Sequence, residues 1–322
     1  MRILCPAGYP PDLAGMLWGL RGLGHEVEIC ELGWLPTERK VPAWRGSWSR
    51  FRPDLVFFFG FWKGLYDLST LDPPPGWPRV PVVYWAADDP VFMGELSLPL
   101  LAGIDLILTP AEECADLYAR RGRRSGVINF GCNPELQRRV RPAEQHQFVH
   151  VGTNYTYFKT TSFRLKSTAN ILMSLLEAGY DVHVWGSFWT EERAAYRVPA
   201  RLFHGYLPHT RLAEVYSGAE IVLGLQFSNL SRTQTSSRVF ETLACGAFYL
   251  GPDTPGTRCH FTPGRHLVLS GSPLETLSLA RYYLDHPGER ARIAAAGQRE
   301  VLRRHTYLHR AREMMAIVNQ VY

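Results

Sequence analysis

The chain has 322 residues, of which 46% are hydrophobic and 20% charged, and it contains 9 Trp, 15 Tyr and 16 Phe. This composition excludes an intrinsically disordered chain, and the length favours two core-forming units over one. The net charge of +5 comes from short, separate basic groups rather than from one dense stripe. It therefore disfavours a nucleic-acid-binding protein and suits phosphorylated small molecules as ligands.

The sequence predicts a cytoplasmic protein without a membrane-spanning segment. No window approaches the run of about 18 apolar residues that a bilayer-spanning helix needs, and the residues after Met1 lack the apolar region of a signal peptide. The six cysteines lie far apart and form no CxxC pair. Reduced, buried thiols are therefore expected, rather than a zinc site or a disulfide framework.

In the first half of the chain, short apolar runs alternate with helical patterns. Strands are predicted at 2–5, 27–31, 54–59, 80–85 and 105–109, and helices over 13–23 and 111–121. The run from Leu55 to Phe59 is apolar at every position, which is typical of a strand that a parallel sheet buries on both faces. The alternation predicts a doubly wound α/β domain.

The apolar pattern lapses over residues 141–147, and a domain boundary is predicted there. The expected domains are 1–143 and 144–305, with 306–322 as a C-terminal helix that can return to the first domain. Beyond the boundary, strands are predicted at 148–151, 181–185, 220–225 and 247–250, and helices over 164–178, 211–217 and 237–245. Two such domains would hold a ligand in a crevice at the carboxyl ends of their strands.

The segment from Ser236 to Gly246 has the most informative pattern. Ser236 or Ser237 can cap a helix whose free N–H groups and positive dipole end suit a diphosphate. Glu241, one turn into the helix, could accept hydrogen bonds from two vicinal hydroxyls, such as those of a ribose. The alternative is a surface ion pair between Arg238 and Glu241, which contributes little.

This region resembles the glycosyltransferases of the spore-maturation CgeB type, which are relatives of the group 1 glycosyltransferases. The motifs that carry the resemblance are Arg238 to Phe248, Thr254-Pro255-Gly256, Phe261 to Arg265, Gly205 to Pro208, Tyr216 to Ile221, and Arg303 to Tyr307. In the first half the resemblance rests on Trp85 to Pro90 and the general layout. It implies the GT-B fold, with two Rossmann-like doubly wound domains facing each other across a cleft.

The resemblance also implies where a nucleotide sugar would bind, namely on the second domain, with the acceptor on the first. Glu241 would bind the ribose hydroxyls. The backbone of Gly205, Tyr206 and Leu207 would contact the edge of the nucleotide base. Ser236, Ser237 and Arg238 would lie beside the diphosphate, together with Lys159 or Arg164. Many relatives carry a second glutamate eight positions before Glu241, where this chain has Thr233, so the donor sugar and the stereochemical outcome stay open.

For the catalytic step the sequence offers Asp88 and Asp89, directly after the predicted strand 80–85. A carboxylate there could deprotonate an acceptor hydroxyl. An Asp-Asp-Pro run also fits a turn, a helix cap or a metal ligand. The resemblance implies catalysis without a divalent ion, and no cofactor is expected besides the nucleotide sugar as co-substrate. His150, His183 and His204 are predicted to be satisfied core histidines, and Trp62 is a further candidate for stacking on an acceptor sugar.

The leading prediction is a glycosyltransferase that moves a sugar from a nucleotide-diphosphate sugar to an acceptor hydroxyl or another nucleophile. Two alternatives stay open: a non-catalytic nucleotide-sugar-binding protein in polysaccharide or spore-coat assembly, and a GT-B-type nucleotide-sugar epimerase. The acceptor is unknown.

Overall fold

The structure is a computed structural model that describes residues 1–6, 11–32, 35–59, 72–158 and 160–322. The predicted site residue Lys159 and the candidate Trp62 lie outside the described residues. The chain divides into two compact units, Met1–Phe130 with Tyr307–Tyr322, and Gly131–Thr306. In the described part of the chain, no helix has both the length and the apolar character needed to cross a membrane.

The first unit is built on a six-stranded parallel sheet. Its strands are β1 (Arg2–Cys5), β2 (Glu26–Ile29), β3 (Leu55–Phe59), β4 (Val82–Trp85), β5 (Leu106–Thr109) and β6 (Ser125–Val127), in the order β2-β1-β3-β4-β5-β6. Its helices are α1 (Pro11–Gly22), α2 (Thr37–Phe51), α3 (Glu112–Arg120) and, from the end of the chain, α11 (Tyr307–Val321). Every residue of β3 is buried, as its continuous apolar run predicts.

The second unit is built on a five-stranded parallel sheet. Its strands are β7 (His146–Val151), β8 (Val182–Trp185), β9 (Ala219–Leu223), β10 (Tyr249–Pro252) and β11 (Val268–Ser270), in the order β11-β10-β9-β7-β8. Its α-helices are α4 (Ser162–Thr168), α5 (Ser174–Glu177), α6 (Leu212–Ser217), α7 (Ser237–Ala244), α8 (Pro255–His260), α9 (Pro273–Asp285) and α10 (Pro287–Arg304). A π-helical turn (Ala169–Met173) joins α4 to α5. Apolar clusters cover both faces of this sheet, so its strands are buried from either side.

The boundary between the units falls after Phe130, earlier than the predicted limit at residue 143. Several hydrogen bonds attach the intervening segment to the second unit; for example, Arg139 Nη1 donates to the Gly246 carbonyl at 3.1 Å, and the Val140 backbone N–H donates to Ser217 Oγ at 3.0 Å. The polar run at 141–147 therefore marks an exposed stretch of the second unit. Exposure alone explains its lack of apolar residues.

Candidate functional site

The second sheet has a topological switch point between β7 and β9, because the chain continues from β7 to β8 on one side and returns as β9 on the other. Ligands of open α/β sheets bind at such a point, outside the carboxyl ends of the strands. The residues that follow β7 and β9, together with the start of α7, form the candidate site.

The first turn of α7 is fixed against the end of β9. Ser236 is its N-cap, and the Ser236 hydroxyl accepts a hydrogen bond from the Arg238 amide at 3.3 Å. The Ser236 amide donates to Oε1 of the buried Gln226 at 3.0 Å, and Gln226 Nε2 donates to Thr235 Oγ1 at 3.0 Å. The predicted cap is therefore confirmed, with Ser237 as the first helical residue. The N-terminal N–H groups and dipole of α7 favour an anion at this end.

Arg164 supplies a buried positive charge close to this network. It is 5% exposed, and its guanidinium carbon lies 4.8 Å from the ring centre of Phe227 and 5.5 Å from that of Tyr155. Nη2 donates to the Thr153 carbonyl at 3.3 Å, while Nε has no hydrogen-bond partner among the described residues. Burial lowers the pKa of Arg164 to about 10, and none of the carboxylates in the described ranges pairs with it.

Gln226 joins α4 to α7. The backbone N–H of Gln226 donates to Ser167 Oγ at 3.1 Å, and Ser167 lies one turn after Arg164 on α4. The structure thus brings Arg164, Ser236 and Ser237 together around the end of β9. A buried cation without a counter-ion is costly, so this arrangement suits an anionic ligand.

Glu241 is 2% exposed and lies one turn into α7. Its Oε1 is 2.6 Å from His209 Nε2, and Arg238 Nη1 donates to Oε2. Burial by itself would raise the pKa of Glu241, but the charge of Arg238 and the hydrogen bond from His209 outweigh it and hold that pKa below its usual range. The pair with Arg238 exists, yet it is not the surface pair considered as the alternative. Both carboxylate oxygens therefore already have partners within the second unit, and the contact with ribose hydroxyls stays a prediction.

The predicted base-binding segment runs beside β8. The Gly205 carbonyl accepts from the Gly186 amide at 2.8 Å, and Gly205 has a φ of +73°. Tyr206 is 75% exposed, and Tyr206 and Leu207 line a cavity of about 230 Å³ together with Trp185. The segment leads directly to His209 and so to Glu241.

The two predicted catalytic carboxylates have different surroundings. Asp89 is 1% exposed, and its oxygens accept hydrogen bonds from Ser97 Oγ at 2.8 Å and from Tyr118 Oη at 2.7 Å. Burial raises the pKa of Asp89 despite these bonds. With both oxygens bonded and no access to solvent, Asp89 has the geometry of a structural residue. Asp88 is half-buried and is the remaining candidate for the base.

The structure corrects part of the histidine prediction. Nδ1 of the buried His150 donates to the Leu223 carbonyl at 2.9 Å, but its Nε2 has no partner in the part of the chain that the structure describes. Burial lowers the pKa of His150 to about 3, so the ring is neutral. His183 Nδ1 lies 2.7 Å from His204 Nε2; His183 is half-buried and His204 is exposed, so neither is a core histidine. Over the described ranges, no three His, Cys, Asp or Glu side chains are grouped closely enough to bind a metal ion.

Sequence reasoning missed His209, which organises the site by its contact with Glu241 but belongs to no recognisable motif. The segment that begins at Gln226 is expected at the carboxyl end of a predicted strand, but the hydrogen bonds of Gln226 to α4 and α7 are seen only in the structure.

A family model described as "Glycosyl transferase-like" matches residues 166–316. The chain is 23% identical over 244 residues to spore protein CgeB of Bacillus subtilis (strain 168), covering 71% of this chain and 72% of that protein. These matches confirm the resemblance predicted from the motifs around Glu241.

Two solved structures are similar over nearly the whole chain. Sucrose-phosphate synthase from Thermosynechococcus elongatus has a TM-score of 0.65 at 14% identity and covers 100% of this chain and 99% of its own. Anabaena HepE, in complex with UDP and glucose, has a TM-score of 0.64 at 12% identity and covers 99% of this chain and 100% of its own. The fold is GT-B. The match to the glycosyl transferase-like family model confirms the predicted glycosyltransferase function.

Proposed function

We propose that the protein transfers a sugar from a nucleotide-diphosphate sugar, bound by the second unit, to an acceptor hydroxyl or another nucleophile. The observation that carries the proposal is the buried Arg164, which has no carboxylate partner among the described residues and lies beside the capped start of α7. The similar HepE structure is in complex with UDP and glucose, which supports this class of donor. A cytoplasmic location is part of the proposal.

The proposed reaction forms a bond between the acceptor oxygen and the anomeric carbon of the sugar. The bond from that carbon to the diphosphate breaks, and the nucleoside diphosphate leaves with the electron pair. Arg164 and the N–H groups at the start of α7 stabilise the negative charge of the leaving group, which is generally the largest contribution. Asp88 takes the acceptor proton, and no divalent ion or other cofactor is part of the proposal.

Calorimetric titration with UDP, GDP and TDP tests donor binding. We expect at least one to bind, and Arg164→Met to weaken that binding about ten- to hundredfold, because a charge-assisted contact contributes about 1.5–3 kcal/mol. Arg193→Met is the matched control, since Arg193 is an exposed arginine over the ring of Tyr157.

An acceptor screen that follows nucleoside diphosphate release separates the remaining alternatives. Release that requires an acceptor supports the transferase. Conversion of the donor without an acceptor would indicate an epimerase, and binding without any turnover would indicate a binding protein. The proposal fails if the wild-type protein binds no nucleoside diphosphate, or if a folded Arg164→Met protein binds it unchanged.

A further inference from the structure

A second cavity, of about 310 Å³, lies in the second unit between α8, the loop 261–266 and the last turns of α10. The charged and titratable residues that line it are six basic side chains, one carboxylate and one thiol, namely Arg258, His260, Arg265, His266, Arg303, Arg304, Glu300 and Cys259. None of them belongs to the proposed donor site. The cavity therefore needs an explanation of its own.

The loop that forms one wall is held close to α10. Gly264 turns the chain with a φ of +75°, a conformation that favours glycine. On α10, a Cβ atom at Gly297 would lie 2.3 Å from the His266 carbonyl oxygen, so only glycine allows the loop to pack this closely. This approach places His266 beside Glu300, one turn further along α10.

His266 presents a defined donor. The residue is 8% exposed, and the Thr262 amide donates to its Nδ1 at 3.2 Å. Burial, together with the nearby Arg265 and Arg303, lowers the pKa of His266 although Glu300 opposes them, so the ring is neutral. Because Nδ1 accepts a hydrogen bond, the ring proton is on Nε2. His266 therefore offers an N–H group to a ligand in the cavity.

The cations outnumber the carboxylates around this donor. Arg303 and Arg304 share one carboxylate, with N–O distances to Glu300 of 2.7 and 3.6 Å. Arg258 is neutralised by Asp253 at 2.5 Å. None of the ion pairs among the described residues involves Arg265. Three guanidinium groups therefore face a single carboxylate. The dipole of α10 attracts basic residues to its last turn, but it does not account for Arg265, which is on the loop.

We propose that this cavity binds a small phosphate-bearing molecule with at least two negative charges. Arg265, Arg303 and Arg304 would pair with its phosphate oxygens, because the planar guanidinium fork matches phosphate geometry, and His266 Nε2–H would donate to one of them. A cavity of this size fits a small molecule rather than a polymer. The site is separate from the donor site and does not depend on the proposed transferase activity.

The test is calorimetric titration of the full chain with inorganic pyrophosphate, with and without saturating UDP, GDP or TDP. Because pyrophosphate can also occupy the donor site, binding that persists under saturating nucleotide identifies the second site. We expect the double variant Arg303→Glu/Arg304→Glu to weaken this binding roughly tenfold or more. Arg299→Glu is the matched control, since Arg299 is exposed on α10 and does not line the cavity.

A second variant keeps the test valid if the double variant does not fold. Arg265→Ala removes a loop cation without breaking an ion pair with any described residue, and it should weaken pyrophosphate binding severalfold. The proposal is overturned if saturating nucleotide abolishes all pyrophosphate binding, or if Arg299→Glu weakens it as much as the double variant does. Binding to vesicles of anionic phospholipid through Arg303 and Arg304, without binding of pyrophosphate, would also overturn it in favour of a membrane surface.

Discussion

Glu241 is a buried carboxylate whose charge depends on two neighbours. Arg238 and His209 offset the cost of burial, and removing either would leave one buried carboxylate oxygen without its partner. The same contacts fix the orientation of the carboxylate before any ligand arrives. A carboxylate held in this way can accept hydrogen bonds from two ribose hydroxyls at a small entropic cost.

Replacing Glu241 tests the predicted contact with the ribose. We expect Glu241→Ala to weaken nucleoside diphosphate binding by about 1–3 kcal/mol, roughly ten- to hundredfold, measured by calorimetry. Glu177→Ala is the control, since Glu177 is an exposed carboxylate at the end of α5. Unfolding in urea must show that both variants are folded. An unchanged affinity in folded Glu241→Ala would assign this carboxylate a structural role only.

Variants of the two aspartates after β4, Asp88 and Asp89, should differ in whether they lower turnover or stability. We expect Asp88→Asn to lower turnover by about 10² to 10⁴ and to leave nucleotide affinity unchanged, because a general base contributes to the chemical step. Asp89→Ala should instead lower stability, since it leaves the Ser97 and Tyr118 hydroxyls without their acceptor at about 1–3 kcal/mol each. Turnover assays and urea unfolding measure the two effects. The opposite pattern would make Asp89 the base.

At the scale of elements, the edge of the second sheet is held by a cluster of histidines. The rings of His146 and His183 lie 4.0 Å apart, and His204 stacks on Trp185 at 4.3 Å. Phe203 forms a bridge with Val184. This cluster therefore fixes the segment that leads to the predicted base-binding residues.

The cluster predicts a loss of stability in mild acid. Burial and the neighbouring His183 lower the pKa of His146 and His204, despite opposing effects of Glu144 and Asp181. The unfolded chain then binds more protons than the folded chain, so stability is complete above about pH 6.5 and falls as the pH drops through that range. Thermal unfolding from about pH 7.5 to about pH 5 measures this.

His204→Phe is the informative variant, because phenylalanine keeps a ring against Trp185 and does not titrate. Its stability should depend less on pH than that of the wild-type protein in this range. The lowered pKa of Glu241 acts in a different window, below its ordinary value of 4.5, and does not interfere. A pH dependence identical to wild type would exclude His204 as a contributor.

Most strands were predictable, because a parallel sheet buried on both faces requires continuous apolar runs such as β3. Helix α2 could not be predicted, because Pro42 and Gly46 interrupt the helical pattern of its sequence. Trp44 and Trp48 nevertheless lie one turn apart on its buried face. Its stability comes from that packing.

The candidate site, too, could be predicted from the sequence only in part. The serine cap and Glu241 could be found because they share one helix with a local pattern. His209 could not, because it contacts Glu241 across 32 positions of the chain, and only the folded structure brings them together. Nor does spacing reveal that Asp89 is buried, since its partner Tyr118 comes from α3.

For the molecule as a whole, the first unit is discontinuous in sequence. Helix α11 follows the second unit in the chain but packs on α1, and Arg310 Nε donates to the Phe130 carbonyl at 2.8 Å. The backbones of α1 and α11 approach each other closely at Gly19, where a Cβ atom would lie 2.2 Å from the Tyr307 carbonyl oxygen. The first unit therefore depends on the last helix.

Gly19→Ala tests that dependence. A backbone oxygen cannot yield as a flexible side chain can, so we expect a loss of about 1–3 kcal/mol in the unfolding free energy of the first unit. Gly46→Ala is the matched helical control: a Cβ atom at Gly46 would meet no heavy atom of the described residues within 4 Å, and the change should stabilise α2 by about 0.5–1 kcal/mol. Seven of the nine tryptophans belong to the first unit, so tryptophan fluorescence during urea unfolding reports mainly on this unit, while nucleotide affinity reports on the second. If Gly19→Ala behaves like Gly46→Ala, the packing of α11 on α1 does not stabilise the first unit.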